Sequence, residues 1–288
     1  MAAAARRCWP LAATPAASAR RLLDDAPPPI AAAPGPDLLA ACSVPAGPEL
    51  LEDPPGTFDV TISTTAGEFT IRTFTPWAPP FARRFWALSR LRYMQGARFY
   101  RVDRRSDGEG WVVQFGYRGD PAVDQCWDQH RTSNSTWSVH APGNVRGTVA
   151  FSMDAVNQSW TNPNCTAEDY CAQGFSTNIY INYGNNSRLD PHGFAVFGVV
   201  LEPGMDIVSR LYAGYGEVSD LCPSSGSAQH YGGGGGGGYC KGFGAQCQGV
   251  NMTRLLSEGE GYCSREKPLL DRILHVRIKK NVTLGSVY

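Results

Sequence analysis

The chain has 288 residues, 26 Lys+Arg against 26 Asp+Glu, 42% apolar and only 18% charged residues. A balanced charge gives no basic face for a phosphate backbone, and no apolar run approaches the roughly 20 residues that cross a bilayer, so neither nucleic acid nor an integral membrane segment is expected. Gly (32) and Pro (21) are high and clustered, as when unstructured pieces flank a folded body large enough to bury a full core.

Residues 1–23 are Ala-rich, carry Arg6, Arg7, Arg20 and Arg21, and have no acid before Asp24. An Arg-rich, acid-poor start resembles an organelle transit peptide. Residues 9–19 could instead be a weak signal h-region with Ala17-Ser18-Ala19 as its cleavage site. Residues 24–56 contain Pro27-Pro28-Pro29 and Pro54-Pro55 and read as a disordered linker. The expected organisation is therefore a targeting segment and linker over 1–56, a folded domain over 57–280 and a short tail over 281–288.

Order begins near Thr57. Phe58, Val60 and Ile62 alternate with polar residues, and Phe69, Ile71 and Thr73 do so again after Thr64-Thr65-Ala66-Gly67, which predicts a β-hairpin. Pro80 suits a first helical turn, and Phe81, Phe85, Leu88 and Leu91 recur at helical spacing before Gly96, predicting a helix over 81–94. Short strand-like runs follow at 98–103, 111–117, 147–152, 178–182, 194–201 and 273–279, with a second helix over 205–212. Eight short strands and two helices suggest a mainly β fold: a closed eight-stranded antiparallel barrel capped by two helices, since closure removes sheet edges. Long insertions fall at 118–146, 154–176 and 213–262, and Gly232–Gly238 reads as a flexible tether.

Nine cysteines are present, and none forms a CxxC pair. Cys126, Cys165, Cys171, Cys222, Cys240, Cys247 and Cys263 sit in loop-like stretches, which favours loops stapled by disulfides in an oxidising compartment. Seven is odd, so one is left free or pairs with Cys42. Asn134, Asn157, Asn164, Asn185, Asn251 and Asn281 each open an Asn-x-Ser/Thr triplet, six acceptors among 11 asparagines. Chance supplies roughly one or two, so a glycoprotein of the secretory pathway is expected, with the transit-peptide route as the alternative. His130, His140, His192, His230 and His275 lack ligand spacing, so no metal or other cofactor is expected.

The order of motifs resembles the cyclophilin-type peptidyl-prolyl isomerases, in a divergent, bacterial-like branch. The likeness runs from about residue 57 to 280. It rests on Gly67-Glu68-Phe69, Ala78-Pro79-Pro80, Phe99-Tyr100-Arg101-Val102, and Trp111-Val112-Val113-Gln114-Phe115-Gly116 with Gly119-Asp120-Pro121. It continues through Gly147-Thr148-Val149-Ala150-Phe151-Ser152-Met153, Ser176-Thr177-Asn178-Ile179-Tyr180-Ile181-Asn182, Leu189-Asp190, and Phe194-Ala195-Val196-Phe197-Gly198. The resemblance implies a monomer that accelerates X-Pro rotation in proline-containing polypeptides during folding. It implies Arg101 and Gln114 as catalytic residues. Trp111, Val112, Ser152, Met153, Asn178, Tyr180, Leu189 and Phe194 would bind the substrate. The chain departs from the family pattern at Arg188, where Trp or His precedes Leu-Asp, and at Phe194, where His is usual. Those departures keep open a second reading, a proline-peptide binding module with little turnover that serves as a chaperone or adaptor.

The chemistry asked of these residues is modest. Rotation about a prolyl amide costs about 18–20 kcal/mol, because it destroys amide resonance. Uncatalysed exchange takes tens to hundreds of seconds. No bond is broken, so a catalyst needs an apolar grip on the proline and a fixed donor for the twisted amide, whose nitrogen becomes pyramidal and basic. A guanidinium supplies that donor, permanently charged and rigidly forked.

Overall fold

Alternating burial sets the first two strands. The computed structural model describes residues 37–43, 53–103, 111–130, 141–153, 175–216, 218–219 and 249–279; the side chains of Met153, Pro191 and His192 fall outside that description. In β1 (Thr57–Thr64), Phe58, Val60 and Ile62 are fully buried. Its partner β2 (Gly67–Phe74) pairs antiparallel with Thr64 opposite Gly67, leaving Thr65-Ala66 as the turn. Gly67 takes φ +134°, open to glycine at little cost.

The remaining strands are β3 (Arg101–Val102), β4 (Val112–Phe115), β5 (Thr148–Met153), β6 (Phe175–Asn182), β7 (Val196–Val200) and β8 (Ile273–Lys279). They form one eight-stranded antiparallel sheet in the order β3-β4-β6-β5-β7-β2-β1-β8. The sheet curls as an open half-barrel with β3 and β8 at its two ends. An isolated bridge between Arg98 and Arg272 joins those ends, flanked by bonds from Phe99 N to Asp271 O and from Ile273 N to Ala97 O (2.9 Å each). The closed barrel anticipated from strand count is therefore not what the described residues form: β3 and β8 share no ladder, and a single bridge joins the segments that precede them.

Helices are more numerous than the two anticipated. Besides α2 (Pro79–Arg90) and α4 (Gly204–Val208), the described residues include α1 (Leu38–Cys42), α3 (Pro121–Gln129), α5 (Met252–Glu258) and α6 (Glu260–Glu266). Each of α1, α3 and α5 starts at a side-chain cap. Asp37 Oδ1 accepts from Leu39 N and Ala40 N, Asp120 Oδ1 from Ala122 N and Val123 N, and Asn251 Oδ1 from Arg254 N. Such caps satisfy donors that the first turn leaves orphaned. Helix α1 lies within the stretch anticipated as linker. It holds because Leu38 and Cys42, one turn apart, are both buried, and Cys42 forms a disulfide with Cys126 of α3.

The main core lies between the sheet and α2. Phe58 meets Trp86 edge-on at 4.9 Å, Phe85 meets Phe197 at 5.1 Å, and Phe81 meets Phe151 at 5.5 Å. A second cluster of Tyr100, Tyr117, Val218, Val250, Leu255, Tyr262, Cys263 and Leu270 seats α5 and α6. One link from it toward the sheet is Arg98, 8% exposed, which donates to both carboxylate oxygens of Glu260 and, at 2.9 Å, to Leu270 O. No described helix is long and apolar enough to cross a membrane.

Cys42–Cys126 is the disulfide among the described residues, and Cys263 is a buried free thiol pushed up to about 11 by burial. Cys165, Cys171, Cys222, Cys240, Cys247 and Gly232–Gly238 lie outside the described residues, as do the acceptors Asn134, Asn157, Asn164 and Asn281. Asn185 is exposed, whereas Asn251 uses its side-chain oxygen to cap α5.

Candidate active site

Strand order brings distant residues into one row. Arg101 on β3 is opposite Gln114 on β4, Gln114 is opposite Tyr180 on β6, and Tyr180 is opposite Ala150 on β5. Side chains alternate along a strand, so Val112 and Gln114 share a face with Arg101, Tyr180 and Asn182. The opposite face carries Val102, Val113, Phe115, Ile179, Ile181, Val149 and Phe151, all buried in the main core. At the end of β4, the chain must pass close to β6. A Cβ on Gly116 would fall 2.1 Å from Thr177 O, so only glycine fits there.

Three predicted residues form a relay. Arg101 Nη1 donates to Gln114 Oε1 at 2.8 Å, and Gln114 Nε2 donates to Ser152 Oγ at 2.9 Å. Gln114 is only 7% exposed, so its amide has little freedom to flip, and it fixes one edge of the guanidinium. Trp111 lies beside this relay, with the Arg101 guanidinium 5.9 Å from its ring centroid and that of Arg188 only 3.4 Å away. The second distance is a cation stacked on a ring face.

Val112, Tyr180, Leu189 and Phe194 are buried in the main core, and Trp111 packs against it. Phe194 meets Tyr180 and Phe175 edge-on, each at 6.2 Å. Leu189 sits on the 3-10 turn Ser187–His192.

Asn178 goes elsewhere. Its side-chain oxygen accepts from Tyr100 OH, which belongs to the second cluster, so it ties β6 to the cluster that seats α5 and α6. Met153 ends β5 opposite Phe175, and its side chain lies outside the description.

The residue that sequence reasoning missed is Asn144. It is fully buried and bonded on every side. Its Nδ2 donates to Asp190 Oδ1 (2.7 Å) and Phe194 O (2.9 Å). Its Oδ1 accepts from Tyr180 OH (2.6 Å) and Asn182 Nδ2 (3.1 Å). Burial, reinforced by the Asp190 carboxylate and opposed by Arg188, pushes the Tyr180 phenol well above its usual range, so it stays a neutral donor. Asn186 extends the network, donating to Trp111 O and Asn182 Oδ1 at 2.8 Å each. Asn144 lies within what reads as an insertion, and only the fold reveals its four partners. Gly143 beside it has the same cause: a Cβ there would fall 2.5 Å from Asp190 Oδ2.

A permanently charged donor, held by an amide and set beside a tryptophan and an apolar wall, can grip a peptide and stabilise developing charge. Comparison with known proteins gives this arrangement a context. A family model described as cyclophilin type peptidyl-prolyl cis-trans isomerase/CLD matches residues 57–223. Among solved structures, a Cryptosporidium parvum cyclophilin type peptidyl-prolyl cis-trans isomerase is similar, with 17% identity, TM-score 0.36, and coverage of 53% of this chain and 82% of that one. The same protein in the presence of the dipeptide Ala-Pro gives 17%, 0.35, 52% and 82%. No curated protein matches the chain. The family model spans more than half of the sequence and every strand from β1 to β7, and the chain belongs to the cyclophilin-type peptidyl-prolyl cis-trans isomerase family.

Proposed function

We propose that Arg101 is the residue that stabilises the twisted amide in the peptidyl-prolyl cis-trans isomerisation this chain catalyses, and that proline-containing polypeptides bind beside it. The observation that carries the assignment is the Arg101–Gln114–Ser152 relay. A donor fixed in advance costs no reorganisation when the amide nitrogen becomes pyramidal. Trp111, Val112, Tyr180, Leu189 and Phe194 would hold the proline ring by apolar contact, which raises affinity for both isomers. Arg101 acts on the state between them, and only that difference accelerates rotation.

A cis-to-trans assay on an Ala-Pro tetrapeptide with purified full-length protein tests this. Arg101→Ala is expected to lower kcat/KM by about 100-fold or more, close to 3 kcal/mol of transition-state stabilisation. A variant as fast as the wild type would show that another group carries catalysis. A wild type no faster than the uncatalysed reaction would leave the binding-module reading in its place.

We also propose that the protein travels the secretory route. The Cys42–Cys126 disulfide and six Asn-x-Ser/Thr acceptors support it. Glycosidase treatment of protein from its native source should shift its gel mobility; no shift would point to the transit-peptide route.

A further inference from the structure

We propose that, once the Cys42–Cys126 disulfide is reduced, Cys42, Cys126 and His130 bind a zinc-type divalent cation that clamps α1 to α3. Neither the reading of isolated histidines nor the isomerase chemistry uses these residues. The two cysteines are far apart in sequence, with a separation of 84 positions. In the fold, their two sulfurs and an imidazole nitrogen all lie within 4.8 Å of one another.

The positions suit the chemistry. Cys126 lies four residues before His130, the C-cap of α3, and an i,i+4 pair projects from one side of a helix. Cys42 is the last residue of α1 and is fully buried. A tetrahedral site with Zn–S near 2.3 Å and Zn–N near 2.0–2.1 Å needs sulfurs about 3.8 Å apart and each sulfur about 3.6 Å from the nitrogen. The cysteine Cα atoms stand 6.1 Å apart, so parting the bonded sulfurs asks for side-chain rotation and little else. Two thiolates and an imidazole are soft and borderline ligands, which favours zinc over magnesium or calcium. Three protein ligands leave the fourth position to water.

The two helices are also held together by bonds that do not involve sulfur. Trp127 Nε1 donates to Leu38 O at 3.3 Å, tying α3 to α1. The backbone of His130 is pinned twice: its N–H donates to Trp127 O at 3.1 Å, and its carbonyl accepts from Arg84 Nη2. The three ligands therefore stay close when the disulfide opens. The balance is simple. A dithiol delivers two electrons and two protons to the disulfide, becoming a disulfide itself, and the cation then displaces both thiol protons. Oxidised and metal-bound forms are alternative cross-links of the same two helices, so oxidation expels the metal.

The test uses full-length protein, reduced with a dithiol, freed of it under anaerobic conditions, and titrated with Co2+ and then Zn2+. The reduced wild type should show the visible bands of tetrahedral cobalt with thiolate ligands, and the oxidised protein should not. His130→Gln keeps both cysteines and the disulfide. It should bind zinc at least tenfold more weakly, a loss of about 1.4 kcal/mol or more, and Cys126→Ser should abolish the thiolate bands. Reduced wild type without tetrahedral bands overturns the proposal. So does a His130→Gln variant with unchanged bands and affinity, which would place the metal on cysteines elsewhere in the chain.

Discussion

Asn144 organises the pocket wall, and removing its side chain should cost more than any single pocket contact. In Asn144→Ala, the Tyr180 hydroxyl loses its 2.6 Å acceptor inside a site where the tyrosine is 3% exposed. A buried donor left unsatisfied costs about 1–3 kcal/mol. The bond from Nδ2 to Asp190 Oδ1 is charge-assisted, and such bonds contribute about 1.5–3 kcal/mol. Two losses are cushioned. Asn182 Nδ2 keeps Thr148 Oγ1 at 2.8 Å, and Asp190 keeps the backbone N–H of residue 144 at 2.9 Å. The sum is about 3–5 kcal/mol of lost stability, read as a lower urea midpoint at unchanged slope. A double-mutant cycle isolates the central bond. Tyr180→Phe removes the hydroxyl that Asn144→Ala would strand, so the two losses should fall short of additivity by about 1 kcal/mol or more. In activity assays, Asn144→Ala should raise KM more than it lowers kcat, because Tyr180 and Phe194 lose their shared anchor while Arg101 and Gln114 keep theirs. A loss under about 1 kcal/mol, or strict additivity with Tyr180→Phe, would show that water replaces the asparagine and that the network is not what sets the wall.

Two further outcomes follow from groups around α3. Asp124 accepts from Tyr93 OH, Arg118 N and Gly119 N, yet burial outweighs these donors and pushes its carboxyl up to about 6. The native state then holds this proton more tightly than the unfolded chain, so the stabilisation is fully present below about pH 4 and is lost as pH rises through 6, on the order of 3 kcal/mol in all. The unfolding free energy of the wild type relative to Asp124→Asn should fall across that window, and a flat difference would place the Asp124 proton elsewhere. The Cys42–Cys126 bond closes a loop of 84 residues, for which chain entropy gives about 4–5 kcal/mol. In metal-free buffer with chelator, a Cys42→Ser/Cys126→Ser variant should lose up to that amount; equal stability would mean that the unfolded chain is already restricted there.

Legibility in the sequence followed the range of the interactions. The β1–β2 hairpin was readable because Phe58, Val60 and Ile62 show the period of two that burial on one face demands. Strands β3 and β4 were readable as motifs but came out shorter, since β3 keeps only the two ladder residues Arg101 and Val102. Helix α3 carried a readable start, the Asp120-Pro121 cap, yet it lay in a stretch treated as insertion. Helix α1 could not be read at all. Five residues between prolines are helical only because α3 and a disulfide partner far along the chain hold them, and cysteine parity left Cys42 as one option among several. The hydrogen bond from Tyr100 to Asn178 was likewise not legible, because the cluster to which Tyr100 belongs includes α5 and α6 residues that no local pattern places beside β6.

The departures at Arg188 and Phe194 fall on the wall and not on the relay. Arg101 is set by its ladder partner Gln114, and Gln114 by Ser152, two strands further along the sheet order. None of these bonds passes through residue 188 or 194. Phe194 contributes its ring to Tyr180 and its carbonyl to Asn144, the second of which any residue could supply. Arg188 covers one face of Trp111 at 3.4 Å while remaining exposed, so its charge stays solvated and its planar group lies over the ring. On the proposed mechanism, the twisted amide is stabilised by a unit these substitutions leave intact, and what they alter is the surface against which the peptide lies. Turnover and ligand choice are thereby separable here. Changes at 188 and 194 should move affinity among proline peptides, whereas changes at 101 and 114 should move the rate on all of them.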